Sequence, residues 1–164
     1  MKQVELYTDG SSRGNPGPGG YGTLLLFGKH RRELSGGFAC TTNNRMEMMA
    51  AIIGLESLTQ SCAVTLVSDS KYLINAMTEG WAKTWKLWNW QKKGNKPLKN
   101  ADLWQRLDKA CQRHEITWKW VKGHAGNRHN ESCDELATSA ADAGNLPPDL
   151  GYLNQQSASE QELF

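Results

Sequence analysis

Polar and apolar residues alternate from Gln3 to Thr8, where Val4, Leu6 and Tyr7 stand among polar neighbours. This period of two predicts a strand, stopped by Asp9-Gly10. The run Gly14-Asn15-Pro16-Gly17-Pro18-Gly19-Gly20 reads as a rigid turn. It is not a phosphate-binding loop, because its two prolines lack amide donors and a strand follows instead of a helix. Tyr21–Phe27 and Arg32–Cys40 read as two more strands, completing a meander with the first. From Asn44 to Leu58 the period changes: Met46, Met48, Met49, Ala50, Ala51, Ile52, Ile53, Leu55 and Leu58 are apolar almost all round. That pattern predicts a helix buried on more than one side. Ala63–Val67 is a short apolar strand and Lys71–Met77 a helix. After a basic stretch comes an amphipathic helix with Leu103, Trp104, Leu107 and Cys111 on one face. Ile116–Val121 reads as a strand, Gly123-His124-Ala125-Gly126 as a flexible loop and Asn130–Ala143 as the last helix. Three meander strands followed by helix-linked strands imply an α/β fold with a mixed sheet, the later strands parallel to the first. Ligands of such sheets lie beyond the carboxyl ends of the parallel strands.

The 164 residues suffice for one domain with its own core. Cys40, Cys62, Cys111 and Cys133 are widely spaced, form no CxxC pair and read as free thiols of a reducing compartment. Met1–Glu5 contains no apolar stretch and no run approaches membrane-spanning length, so a cytoplasmic location and no membrane contact are expected. Past Gly144 the chain turns rich in Pro, Gln and Ser. It is expected to be a flexible polar tail, 144–164.

The net charge of +2 hides an uneven distribution. Residues 81–100 hold six lysines, no acid and four of the seven tryptophans, whereas residues 129–164 hold seven acids and no Lys or Arg. Lysines interleaved with tryptophans suit a nucleic-acid backbone: cations for phosphates, rings for sugars and bases. Trp81, Trp85 and Trp88 also recur at helical spacing, so packing accounts for some of them.

Two acids fall at the ends of expected parallel strands, Asp9 and Asp69. Each has an ordinary reading, Asp-Gly as a turn and Ser68-Asp69-Ser70 as a helix cap. Glu47 fits a capping box with Asn44, although its helix has buried flanks. Asp134 has no basic neighbour three or four residues away, and Glu131 and Glu135 repel one another at that spacing. Were the four acids to converge, each pair about 4 Å apart would repel by roughly 4 kcal/mol at an effective dielectric near 20. Such a cluster requires protonation or a cation. Oxygen-only donors without a Cys/His group point to Mg²⁺ or Mn²⁺. His114-Glu115 is no zinc motif, because Trp118 occupies the second-His position. His124, between glycines and seven residues before Glu131, is the candidate acid–base group. His30, His114 and His129 read as surface residues.

With these residues in place the chain resembles the type 1 ribonuclease H family of bacterial type. The resemblance rests on Thr8-Asp9-Gly10-Ser11, Gly14 through Gly22, Thr41 through Glu47, Ser68-Asp69-Ser70, Asn100 to Leu107, and Trp120 through Gly126 to Asn130-Glu131 and Asp134–Ala137. It implies a ribonuclease H-like fold, a five-stranded mixed sheet in order 3-2-1-4-5 with helices on both faces, as a catalytic domain over residues 1–143. It implies hydrolysis of the RNA strand of RNA–DNA hybrids, leaving 5′-phosphate and 3′-hydroxyl ends, by a monomer. Asp9, Glu47, Asp69 and Asp134 match the family's metal ligands. His124 matches its mobile histidine, and Ser12, Asn15, Asn43 and Asn44 match contacts around the RNA 2′-hydroxyls. Thr42 matches part of a DNA-phosphate pocket. Trp81 and Trp85 match the DNA-strand groove of a basic protrusion that includes Lys86.

Several positions depart from the family pattern. Thr84 stands where Asn is common in the phosphate pocket and Lys71 where Gln is common. Leu87-Trp88-Asn89 replaces further basic residues and a glycine, and Asn127-Arg128-His129 replaces His-Pro-Glu. The acids alone also fit a DNA nuclease or strand-transfer enzyme. A non-catalytic hybrid-binding module is the reading from another class, opposed by the presence of all four acids. Glu160-Gln161-Glu162-Leu163-Phe164 is the candidate segment for docking a protein partner, although plain disorder suits its composition better.

Overall fold

The computed structural model describes residues 1–162, so Leu163-Phe164 of the candidate docking segment lie outside the described residues. Strands β1 (Lys2–Ser12), β2 (Gly17–Phe27) and β3 (His30–Thr41) form the meander, followed by helix α1 (Asn43–Glu56). Strand β4 (Cys62–Ser68), α2 (Lys71–Thr78), α3 (Trp81–Leu87), a two-rung hairpin of β5 (Gln91–Lys92) and β6 (Lys96–Pro97), and α4 (Ala101–Cys111) come next. Strand β7 (Glu115–Trp120), α5 (Arg128–Ala141) and α6 (Leu150–Glu162) complete the chain. The main sheet has the order β3-β2-β1-β4-β7. This is the expected 3-2-1-4-5 arrangement once the small hairpin is set aside. β1 is antiparallel to β2 and parallel to β4, and β4 is parallel to β7.

Helix α1 lies on one face of the sheet, buried without a break from Arg45 to Ile52, as its all-round apolar pattern predicts. Its Met46, Met48, Ile52 and Leu55 join Leu6, Val64, Leu66, Trp104 and Leu107 in the core. Helix α5 covers the other face. There the structure corrects the sequence reading, since β2 begins at Gly17 within the glycine run expected to be all turn. Alternation of side chains cannot reveal a strand made of glycines. Their smallness has a packing cause, because a Cβ on Gly20 would overlap the Ala137 carbonyl oxygen of α5.

The expected flexible tail is also corrected. After Pro147, whose carbonyl accepts the Ala39 amide at 2.8 Å, residues 150–162 form α6. Among the described residues apolar burial does little to hold it, for Leu150 and Leu153 are exposed and Tyr152 is the large apolar side chain it buries. Charge fixes it instead. The Arg45 guanidinium donates to Asp149 from Nε at 2.8 Å and Nη2 at 3.0 Å, and Thr41 Oγ1 donates to the same carboxylate at 2.7 Å. Asp102 completes the network with two bonds from Arg45, at 2.9 and 2.7 Å. Among the described residues no helix is long and apolar enough to cross a membrane.

Candidate active site

The parallel pairing of β1 with β4 ends at Tyr7–Val67, while β1 continues beside β2 as far as Ser12–Gly19. The sheet therefore forks, and two residues beyond the fork on either side stand Asp9 and Asp69. Glu47 reaches the same point from α1, which approaches β1 closely because Gly10 has no side chain; a Cβ there would overlap the Glu47 backbone. Carboxylate oxygens of Asp9, Glu47 and Asp69 lie within 4.8 Å of one another. They line a polar cavity of about 470 Å³ together with Asn43, Asn44, Lys71, His124 and Asp134. Asp134 shares the cavity wall without belonging to the tight group of three. Glu131 and Glu135 are exposed and do not line the cavity, so the acidity of α5 reaches it through Asp134 alone.

The ordinary readings of these acids belong to their neighbours. Ser70 Oγ caps α2 by accepting the Leu73 amide at 3.1 Å, and Ser68 Oγ accepts the Ser70 amide at 3.0 Å. The N-cap of α1 is Thr42, accepting from the Arg45 amide at 3.3 Å, so Glu47 takes part in no capping box. Glu47 is instead 4% exposed, and among the described residues its Oε2 has no hydrogen-bond partner. An unpartnered carboxylate oxygen buried in a protein is costly. Burial, and then the neighbouring Asp9 and Asp69, hold the Glu47 carboxyl well above its ordinary range. Burial and Asp69 push Asp9 up to about 7, with a smaller push from Asp134. Burial also raises Asp69, while a hydrogen bond with Asp9 and then the nearby His124 draw it back down. A divalent cation suits this set: hard oxygen donors, an orphaned buried oxygen and mutual repulsion that a positive charge reverses.

His124 is exposed at the lip, in the positive-φ region (φ 55°) between its glycines. Lys71 Nζ sits 5.1 Å from the Trp120 ring centre, and Trp120 Nε1 donates to the Asp69 carbonyl at 3.0 Å. Trp120, to which the sequence assigned no role of its own, thus fixes the backbone of a clustered acid. Asn15 Oδ1 accepts the Asn43 amide at 3.1 Å, linking the glycine-rich turn to the start of α1. Ser12 ends β1, half-buried. Beside the acid-lined cavity is a second one of about 220 Å³, walled by Asn15, Thr42, Asn44, Lys99, Asn100, Tyr152 and Gln156. Thr84 is not among its lining residues; its hydroxyl donates to the carbonyl of Gly80, the N-cap of α3, at 3.1 Å. Lys86 pairs with Asp108 at 3.0 Å, which occupies a charge expected to face substrate. Trp85 packs on Trp104 at 5.3 Å between ring centres, whereas Trp81 and Trp88 are exposed.

Two histidines expected on the surface are structural. His114 Nδ1 accepts the Cys62 amide at 3.1 Å and its Nε2 contacts the Leu55 carbonyl at 3.2 Å, with burial lowering its pKa. His129 packs on Tyr7 at 4.7 Å and is half-buried. Neither pairing is visible from local sequence.

A mixed sheet forked at its carboxyl end, with clustered carboxylates in the fork and a lysine- and tryptophan-rich arm nearby, defines a nuclease of the α/β class. The ribonuclease H (RNase H) family model matches residues 1–142. The ribonuclease H of Rippkaea orientalis is 57% identical over 154 residues, covering 94% of each chain. That of Erwinia tasmaniensis is 57% identical over 155 residues, covering 94% of this chain and 99% of its own. Among solved structures, LC9-RNase H1, a type 1 RNase H, aligns with TM-score 0.79 at 32% identity, over 87% of this chain and 74% of the other. The chain belongs to the ribonuclease H family, metal-dependent endoribonucleases that hydrolyse the RNA strand of RNA–DNA hybrids.

Proposed function

We propose that Asp9, Glu47, Asp69 and Asp134 hold Mg²⁺, with Mn²⁺ as a substitute, and that hydrolysis occurs in the cavity they line. The observation that carries this reading is the buried, unpartnered Glu47 Oε2 beside Asp9 and Asp69. Bound divalent ions would activate a water and stabilise the charge of an in-line displacement at phosphorus. The chain's own residues do the rest. Asp9 and Glu47, fixed by the approach of β1 to α1, set the position of the donors. His124, at the lip, is placed to move a proton to or from the leaving oxygen or to assist product departure. That oxygen becomes the 3′-hydroxyl of one product, leaving a 5′-phosphate on the other.

Asn43 and Asn44 on the cavity wall, with Asn15 bonded to Asn43 and Ser12 at the end of β1, supply donors and acceptors for RNA 2′-hydroxyls, the group that separates RNA from DNA. Thr42 grips a phosphate of the DNA strand. The exposed Trp81, with Lys83, Lys92, Lys93 and Lys96, forms the arm that carries the hybrid's backbone. Lys71, on the cavity wall, adds charge toward the scissile strand.

A panel of matched RNA–DNA, RNA–RNA and DNA–DNA duplexes, with Mg²⁺ or a chelator, tests the reading. Cleavage confined to the RNA strand of the hybrid, abolished by chelator and yielding 5′-phosphate ends, is expected. Equal cutting of duplex DNA would overturn it in favour of a DNA nuclease.

A further inference from the structure

We propose that helix α6 is part of the nucleic-acid-binding surface, where Gln156 and Tyr152 join Lys99 and Thr42 in a seat for a backbone phosphate. The proposal rests on the reading that the hybrid occupies the neighbouring acid-lined cavity. α6 lies after the residues matched by the family model, yet it supplies two walls of the second cavity. Among the described residues no carboxylate lines that cavity, and Lys99 is the one cation that does. Two of its other polar side chains have their acceptor atoms engaged elsewhere and keep donors free. Asn15 turns its Oδ1 to the Asn43 amide, so its NH₂ is the end left for a ligand. Thr42 Oγ1 accepts from the Arg45 amide, which leaves its own O–H to donate. The Asn100 side chain is engaged by Arg45 and Tyr72, so Asn100 shapes the wall without binding. Neutral donors around one lysine, with no acid, select an anion.

Position narrows the anion to a phosphodiester of the bound duplex. Asn44 lines both cavities, so a group seated in the second adjoins the clustered acids. The helix is held firmly enough to present a contact. Gln155 Oε1 accepts the Asn100 amide at 2.7 Å, and Asp149 anchors the first turn through Arg45 and Thr41. Gln156 follows directly on Gln155, exposed and over the cavity. A donor held by a docked helix needs little ordering when the phosphate arrives.

The test compares Gln156→Glu, Gln156→Lys and Ser157→Glu in the full chain, reading kcat and KM for a hybrid across a salt series. Thermal melts confirm that each variant folds. Gln156→Glu is expected to raise KM about tenfold with kcat within about twofold, because it sets a carboxylate against a phosphate. Gln156→Lys is expected to lower KM and steepen the log–log salt dependence by about one. Ser157→Glu adds the same charge to the same helix beside the cavity wall and should change KM less than about twofold. Equal shifts from Gln156→Glu and Ser157→Glu would reduce the effect to net charge and overturn the proposal. If Thr42→Ala raises KM while Gln156→Glu does not, the phosphate seat stands without α6. If Thr42→Ala, Lys99→Ala and Gln156→Glu all leave KM unchanged, the hybrid lies elsewhere and the underlying reading fails too.

Discussion

Arg45 and Glu47 leave the same helix two residues apart, and both are buried, 1% and 4% exposed. Their surroundings are opposite. Arg45 faces two carboxylates and an amide oxygen, every contact a charge-assisted hydrogen bond. Its partners come from α4 and from the approach to α6, so one cation fastens three parts of the chain. Glu47 is grouped with two other acids and, among the described residues, keeps one oxygen with no partner. A buried charge is tolerated when compensated within the protein, and one left uncompensated implies a compensating charge from outside. The Arg45 network holds the fold together, whereas the Glu47 cluster weakens it in return for chemistry.

The sharpest way to break this contrast is Asp69→Asn. Hybrid cleavage in Mg²⁺ should fall on the order of ten-thousandfold, about 5.5 kcal/mol in the barrier, while the melting temperature in chelator holds or rises. Retained activity would remove Asp69 from the chemistry. A variant that both lost activity and unfolded would make the cluster structural. On the other side, Arg45→Met should cost about 3–5 kcal/mol of stability by leaving buried Asp149 uncompensated. Urea unfolding measures it, and a loss under about 1 kcal/mol would mean that α6 is held by something other than charge.

The two regions should also answer pH in opposite ways. Asp9 titrates near 7 in the folded chain, against 3.8 for an unperturbed aspartate, so between these values the folded state binds the extra proton. Stability in chelator therefore falls as pH rises from about 4 to about 7. Asp9→Asn or added Mg²⁺ should flatten that slope. Burial by itself would raise Asp149, but its bonds to Arg45 and Thr41 outweigh that cost and hold it below its ordinary value. Its contribution is present above about 4 and is lost as pH falls through its folded value. Melting curves in chelator from pH 3 to 8 should pass through a maximum on the acid side of neutrality, and a monotonic rise to pH 8 would contradict the cluster's repulsion. The smallest effect is expected from Trp120→Phe, which removes the bond to the Asp69 carbonyl. It should cost about 1 kcal/mol of stability and a several-fold loss in kcat, with KM little changed.

The parts of the molecule legible in the sequence were those written in local pattern. Val4 and Leu6 marked β1, the apolar run from Met46 marked a doubly covered helix, and Asp9 and Asp69 marked the carboxyl ends of adjacent parallel strands. What escaped depends on partners remote in the chain. Gly20 is a glycine within a strand because α5, over a hundred residues later, leaves no room for a side chain there. α6 exists because Asp149 meets Arg45, and an ionisable residue inside the buried run of α1 was the available hint. Thr84 and Lys86 carried the right chemistry for substrate, but Gly80 at the cap of α3 and Asp108 in α4 claim them first. For the acids themselves, the expected topology suggested convergence, while the tight grouping of three with Asp134 standing apart required the backbone.

The fork between β1 and β4 makes the cleft a vise with unlike jaws. The jaw bearing Asp9 is a strand still laced to β2 for five residues past the fork, and it moves only with the whole sheet. The jaw bearing Asp69 is a short turn clipped by the Ser68 hydroxyl beneath and the Trp120 indole alongside. Any change in grip between an empty and a loaded cleft must fall on the second jaw. Amide exchange around residues 68–71 should therefore slow on loading far more than exchange around residues 9–12.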